Sequence, residues 1–187
     1  RVDGLEARVG ELEATQFSTT TKLKAKTVWI TGATNGIGDD AVGGADTDSY
    51  NAEYGAFSFS YDLRLGLKTS FTGKDLLYTR LRAGNMGDTS VWDGNGVSLN
   101  KLDTAAPGGN AVEIDRIYYR FPLGDSFTIQ AGPLTRNTEM MGYKASAYAK
   151  GGSKILDFFG GSLGTPGVWN KETGGGFGAI YSNKKQV

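Results

Sequence analysis

The stretch Phe57-Ser-Phe-Ser-Tyr-Asp-Leu-Arg-Leu-Gly-Leu-Lys-Thr-Ser-Phe71 decides the fold. Phe57, Phe59, Tyr61, Leu63, Leu65, Leu67 and Phe71 fall on one face; Ser58, Ser60, Asp62, Arg64, Gly66, Lys68 and Ser70 fall on the other. Side chains alternate across a strand, so this pattern predicts one long strand with an apolar and a wet, charged face. It exceeds the usual strand of about five to six residues, and about ten residues suffice to cross a bilayer as a tilted strand. Apolar outside, polar inside and aromatic near both ends is the pattern of a transmembrane barrel strand.

Further strands lie on both sides of it. Residues 16–31 predict a first strand, with Leu23, Ala25, Thr27 and Trp29 on one face and Lys22, Lys24, Lys26, Val28 and Ile30 on the other. After the turn Thr72-Gly-Lys-Asp75, Leu77, Thr79, Leu81 and Ala83 alternate with Tyr78, Arg80, Arg82 and Gly84. Residues 111–121 predict a strand in which Glu113 and Asp115 alternate against Val112, Ile114 and Arg116; the phase of its Tyr118-Tyr-Arg120 end is ambiguous. A second short turn, Pro122-Leu-Gly-Asp125, leads to Phe127, Ile129 and Ala131, and Gly175–Ser182 is the last strand. Residues 32–53, 86–110 and 134–173 read as long loops, the last with room for short helices. Short turns alternating with long loops are the asymmetry of outer-membrane barrels. The expected fold class is therefore all-β: part of a transmembrane antiparallel β-barrel over residues 16–187, preceded by a coiled-coil stub over 1–15.

That stub rests on Val2, Leu5, Val9 and Leu12, spaced as a and d positions of a heptad, with Arg1 and Arg8 at g and Glu6 and Glu13 at e. An amphipathic helix lying on its own domain is the other reading; the matching e and g charges favour a coiled coil. The absence of an initiator Met and the heptad at the first residue lead us to expect an internal piece of a longer protein.

Composition removes several functions. The 187 residues hold 20 basic and 20 acidic side chains, so formal charge gives no support to nucleic-acid binding. With no Cys and no His, disulfides, the usual zinc sites and Cys- or His-based catalysis are excluded. We expect no enzyme, no cofactor and no metal. Lys26-Thr-Val-Trp-Ile-Thr-Gly-Ala-Thr-Asn-Gly-Ile-Gly38 mimics the strand-then-glycine turn of short-chain dehydrogenases. Residues 39–50 lack a helical apolar period, so no helix is expected there, and no Tyr-x-x-x-Lys occurs at Tyr143 or Tyr148. Asp39, Asp40, Asp46 and Asp48 offer oxygens to calcium, but their spacing fits no EF-hand loop and a solvated loop is the better reading.

Gln16-Phe-Ser-Thr-Thr-Thr-Lys-Leu23 after the heptad segment, Thr69-Ser-Phe-Thr-Gly-Lys-Asp-Leu-Leu77, Arg80-Leu-Arg-Ala-Gly-Asn85, Asp115-Arg-Ile-Tyr-Tyr-Arg-Phe-Pro122 and Ile155-Leu-Asp-Phe-Phe159 together resemble the cyanobacterial outer-membrane porins. Those proteins combine an S-layer-homology domain, a coiled coil and a carbohydrate-selective-porin-like barrel, and are often labelled iron uptake porins. The resemblance runs from the first residue to about Phe177. It implies a homotrimer in the outer membrane, held to peptidoglycan-linked polysaccharide by an upstream domain that these residues do not include.

By strand phase the expected pore lining is Lys22, Lys24, Lys26, Arg64, Lys68, Arg80 and Arg82, with Asp62 opposing them and Glu113 and Asp115 added. A cationic wall would favour small anions; alternatively, these bases pair with acids on strands not in view. Ile155–Phe159 is a candidate for a loop folded into the pore. The expected function is passive diffusion of small hydrophilic solutes or inorganic ions. The other reading is a structural tether between outer membrane and cell wall, with little or no conductance.

Overall fold

A computed structural model describes residues 21–38, 46–87, 90–105, 108–141 and 172–182. Six strands follow one another in a single sheet: β1 (Thr21–Gly32), β2 (Ser58–Thr69), β3 (Leu76–Gly84), β4 (Glu113–Leu123), β5 (Phe127–Arg136) and β6 (Thr173–Tyr181). Each pairs antiparallel with the next, so spatial order equals chain order. The sheet is an open wall. Its two short turns, 70–75 and 124–126, lie at one end and the long connections at the other.

Pairing follows the apolar pattern. Ala25, Leu65 and Leu81 stand in one cross-strand row, and Lys26, Arg64 and Arg82 in the next. One face is thus continuous and apolar, with Trp29 72% and Phe177 70% exposed. Aromatic side chains gather on it at two levels. Trp29 meets Phe59 edge to face at 6.1 Å near the long-loop end. Phe71, Tyr119 and Phe121, and Phe127 with Tyr181, cluster near the short turns. Meanwhile Asp62, Arg116, Gln130 and Thr135 are among the most enclosed side chains. Large apolar groups outside and polar groups inside invert the order of a water-soluble domain. This is the surface a lipid-facing barrel wall requires.

The strand bounds differ in informative ways from the sequence reading. β4 runs through Pro122 to Leu123, and β5 continues to Arg136, well past Ala131. Two bulges explain the difficulty. On β4, Arg80 pairs with Arg116 but Leu81 pairs with Ile114, leaving Asp115 as the extra residue. On β5, the register shifts between Gly132 and Thr135. There Pro133 cannot donate to a ladder, and a Cβ at Gly132 would stand 2.4 Å from the Ile117 carbonyl oxygen.

The connection expected to be a plain loop over 32–53 contains a helix, α1 (Thr47–Tyr54). Its apolar period is indeed weak. It forms because Asp46 caps it, accepting from the Ser49 amide and hydroxyl, and because Asn51 exchanges hydrogen bonds with both backbone groups of Gly36. Tyr50 is buried against Gly96, whose positive φ of 74° and close approach to the ring leave no room for a side chain. Two short 3₁₀ turns, Val91–Asp93 and Ser98–Asn100, complete this cap at the long-loop end. A four-residue helix, α2 (Asn137–Met140), follows β5 directly.

Candidate functional site: the polar face of the sheet

Cross-strand register places Lys22, Lys24, Lys26, Asp62, Arg64, Lys68, Arg80, Arg82 and Glu113 on one face. Asp115, the bulged residue, reaches the same side by binding Arg80. The Arg80 Nε and Nη2 donate to its two oxygens at 2.5 and 2.6 Å, a bidentate pair. The heptad residues Val2, Leu5, Val9 and Leu12, the segment Ile155–Phe159, and Asp39 and Asp40 lie outside the described residues.

Asp62 is fully enclosed and serves two arginines. Arg82 Nε stands 2.8 Å from its Oδ1 and Arg64 Nη2 stands 2.6 Å from its Oδ2. Arg64 and Arg82 are directly opposite neighbours, so without an acid between them their charges would repel across the ladder. The Arg82 Nη2 also donates to the carbonyls of Thr104 and Ala105, at 3.2 and 2.9 Å. The β3–β4 connection is thereby folded back onto the polar face. Asp62 and Asp115, acids of this same wall, thus offset part of its basic charge. Lys22, Lys24 and Lys26, by contrast, are exposed and make no ion pair among the described residues.

The sequence reading set Arg116 with Val112 and Ile114 on the apolar side. The structure corrects this. The bulge at Asp115 shifts the phase by one residue, so Arg116, Tyr118 and Arg120 face inward while Ile117, Tyr119 and Phe121 face outward. Arg116 is 2% exposed, with its Nε 3.3 Å from the Glu139 carboxylate. Arg120 lies 5.4 Å over the Tyr118 ring and donates to Gln130 Oε1, which faces it in register. Gln130 in turn donates to Thr135.

Glu139 belongs to α2, which folds over the polar face of β5 and β6. Met140 rests on the glycines of β6: a Cβ at Gly178 would stand 2.7 Å from the Met140 Cβ, and one at Gly176 would stand 2.8 Å from its Cε. Arg120 adds a hydrogen bond to the Glu139 carbonyl. Two chain segments, 101–105 and α2, therefore stand on the polar wall and narrow the space beside it. Arg116, Arg120, Gln130, Arg136, Glu139 and Lys101 escaped the sequence reading. The phase change at Asp115 was the one available signal.

Among the described residues, no helix opens directly on the glycine-rich stretch after β1 to make a nucleotide cradle. The helix that follows begins at Thr47, nine residues past Gly38, and its first turn is already capped by Asp46. Hydrogen bonds from the Ser49 backbone and hydroxyl hold the Asp46 carboxyl below its ordinary value, despite some desolvation.

These features, a meander of strands that is apolar outside, charged inside and long-looped at one end, agree with the comparison to known families. The pattern of the carbohydrate-selective porins of the OprB family matches residues 1–180. The chain belongs to that family. It is 43% identical over 131 residues to an uncharacterized protein of Nostoc sp., covering 66% of this chain and 21% of that protein. It is 38% identical over 132 residues to an uncharacterized protein of Synechocystis sp., covering 71% of this chain and 22% of that protein. The chain thus spans about a fifth of the length of the curated relatives it matches. No solved structure matches it. Membership in the porin family implies an outer-membrane β-barrel, of which these six strands form one stretch of wall.

Proposed function

We propose that this porin wall lines a pore for passive diffusion of small hydrophilic solutes and inorganic ions, with a preference for anions. The observation behind the preference is the imbalance of the polar face. Asp62, Asp115 and Glu139 engage Arg64, Arg82, Arg80 and Arg116, while Lys22, Lys24 and Lys26 keep their charge unopposed by any described acid. A wall of one sign concentrates counter-ions and repels co-ions. No catalytic step is involved; bore and wall charge set what passes. In the same reading the full-length protein is a homotrimer joined through Val2, Leu5, Val9 and Leu12, and an upstream domain binds peptidoglycan-linked polysaccharide. Support for these two points is the heptad spacing and the cyanobacterial resemblance.

The test is the reversal potential of the full-length protein in a planar bilayer across a KCl gradient. Chloride preference is expected, and cation preference would overturn the anion reading. A protein that inserts yet conducts nothing would instead favour the tether, a reading that gains some support from the two segments folded onto the wall.

A further inference from the structure

Between the polar face and the returning segment 101–105 lies a cavity of about 180 Å³, lined by Arg64, Arg80, Arg82, Lys101, Asp103 and Arg136 together with Leu102 and Ala105. Roughly 10–15 Å³ of such space admits one water, so this cavity has room for a small ion with its hydration. Five of its side chains are basic and one, Asp103, is acidic.

The bases differ in how far their donors are spent. Arg80 is committed to Asp115, Arg82 to Asp62 and to two backbone carbonyls, Arg64 through its Nη2 to Asp62 at 2.6 Å, and Lys101 to Asp93 at 2.9 Å. Those bonds fix their charges in place. Two donors remain. The Nε of Arg64 and the Nε of Arg136 are buried and have no hydrogen-bond partner among the described residues. The nearly enclosed Arg116, which does not line the cavity, leaves its Nη2 in the same condition. Buried N–H groups on charged side chains are costly to leave unmet. Unspent guanidinium donors beside fixed positive charges suit an anion with several acceptor oxygens.

We propose that this cavity is a binding site for a phosphate group, inorganic or carried on a small solute such as a sugar phosphate, with Arg64 and Arg136 as its direct ligands. The site rests on this face being the pore wall, and would hold the anion beside the diffusion path, under the roof formed by residues 101–105.

Calorimetric titration of the full-length protein, purified in detergent, tests this with inorganic phosphate, glucose 6-phosphate and glucose. Saturable binding of inorganic phosphate, at one per chain, is expected, with no competition from glucose. Equal affinity for both phosphates identifies the free ion as sufficient; tighter binding of glucose 6-phosphate adds contacts to the sugar. Arg64→Gln and Arg136→Gln should each weaken binding by about tenfold or more, the loss of a charged hydrogen bond. Arg136→Lys, which keeps the charge and loses the fork, should fall between. Lys74→Gln, in the turn at the far end of the sheet, should bind like the wild type. Heat-modifiable gel mobility verifies that each variant has folded. Absence of saturable binding, wild-type affinity in both glutamine variants, or equal weakening in Lys74→Gln would each overturn the site. Binding by a protein that does not conduct would sink the pore reading and leave the site standing. Chloride preference without phosphate binding would do the reverse.

Discussion

Two aspartates show how single residues shape this wall. Asp62 was legible as an inward residue from strand alternation alone, but its double pairing was not, because that depends on Arg82 arriving from β3 in register with Arg64. Replacing Asp62 by Asn leaves two opposed guanidinium groups without their acid. Breaking a buried pair in this way costs about 3 kcal/mol or more. We expect the urea-unfolding midpoint of Asp62→Asn in lipid vesicles to fall accordingly, while the channels that do form become more anion-selective. A variant of unchanged stability and unchanged reversal potential would refute both expectations.

Asp75 works differently, in the turn between β2 and β3. Burial alone would raise its pKa, but it accepts from the Thr72 amide and hydroxyl, the Tyr119 hydroxyl and the Ser70 hydroxyl, and these hold it well below its ordinary value of 3.8. A carboxyl depressed on folding contributes stability that is fully present above its unfolded pKa. That contribution drains away as pH falls below about 4 toward the depressed native value. Wild-type protein should therefore lose stability between about pH 5 and pH 3, and Asp75→Asn should lose less across that interval, having lost the contribution already. Parallel losses in the two proteins would exclude the turn as the cause.

At the scale of elements, the sequence exposed the strands and their faces wherever alternation ran unbroken, as in β1, β2 and β3. It became ambiguous at β4, where Glu113 and Asp115 argue one phase and Tyr118 and Arg120 the other. Both phases are right, on either side of the bulge at Asp115. A one-residue slip in an otherwise regular pattern is how a bulge looks in sequence. Helix α1 was not legible for another reason. Its polar surface lacks a period, and its stability comes from the Asp46 cap and from docking of Tyr50 and Asn51 on distant residues.

The seating of α2 was equally hidden, since nothing in the sequence marks Gly176 and Gly178 as a seat until Met140 is placed over them. Gly178→Leu removes that seat. The leucine must displace Met140, and α2 with it, releasing Glu139 from Arg116. We expect limited trypsin digestion of the folded variant to cut after Arg136, at the start of α2, where the wild type resists. Equal resistance would mean that α2 does not depend on the β6 glycines.

For the whole molecule, the decisive property is which face meets lipid. Charge on the full chain sums to zero, yet its distribution is strongly one-sided: the basic strand residues gather with Asp62 and Asp115 on the polar face, and Leu23, Trp29, Leu65, Ile114 and Phe177 cover the other. A soluble sheet with this apolar face would need a second layer to cover it. The two aromatic levels, one at Trp29 and Phe59 and one at Phe71, Tyr119, Phe127 and Tyr181, instead match the pair of aromatic girdles that a membrane barrel carries at its two interfaces. Leu65 sits between them, opposite Ala25 and Leu81. An arginine at Leu65 would place a charge near the bilayer midplane, at a cost of about 2–4 kcal/mol. A glutamine at Lys24, one row away on the opposite face, should change stability by about 0.5 kcal/mol or less, since that side chain is exposed to the polar side. Urea unfolding of both variants in vesicles of the same lipid measures the difference. Because the two positions are neighbours in the sheet, local packing changes little between them, and the contrast isolates the solvent each face sees. Equal effects would place the apolar face against protein, and the sheet would then be a wall of something other than a membrane barrel.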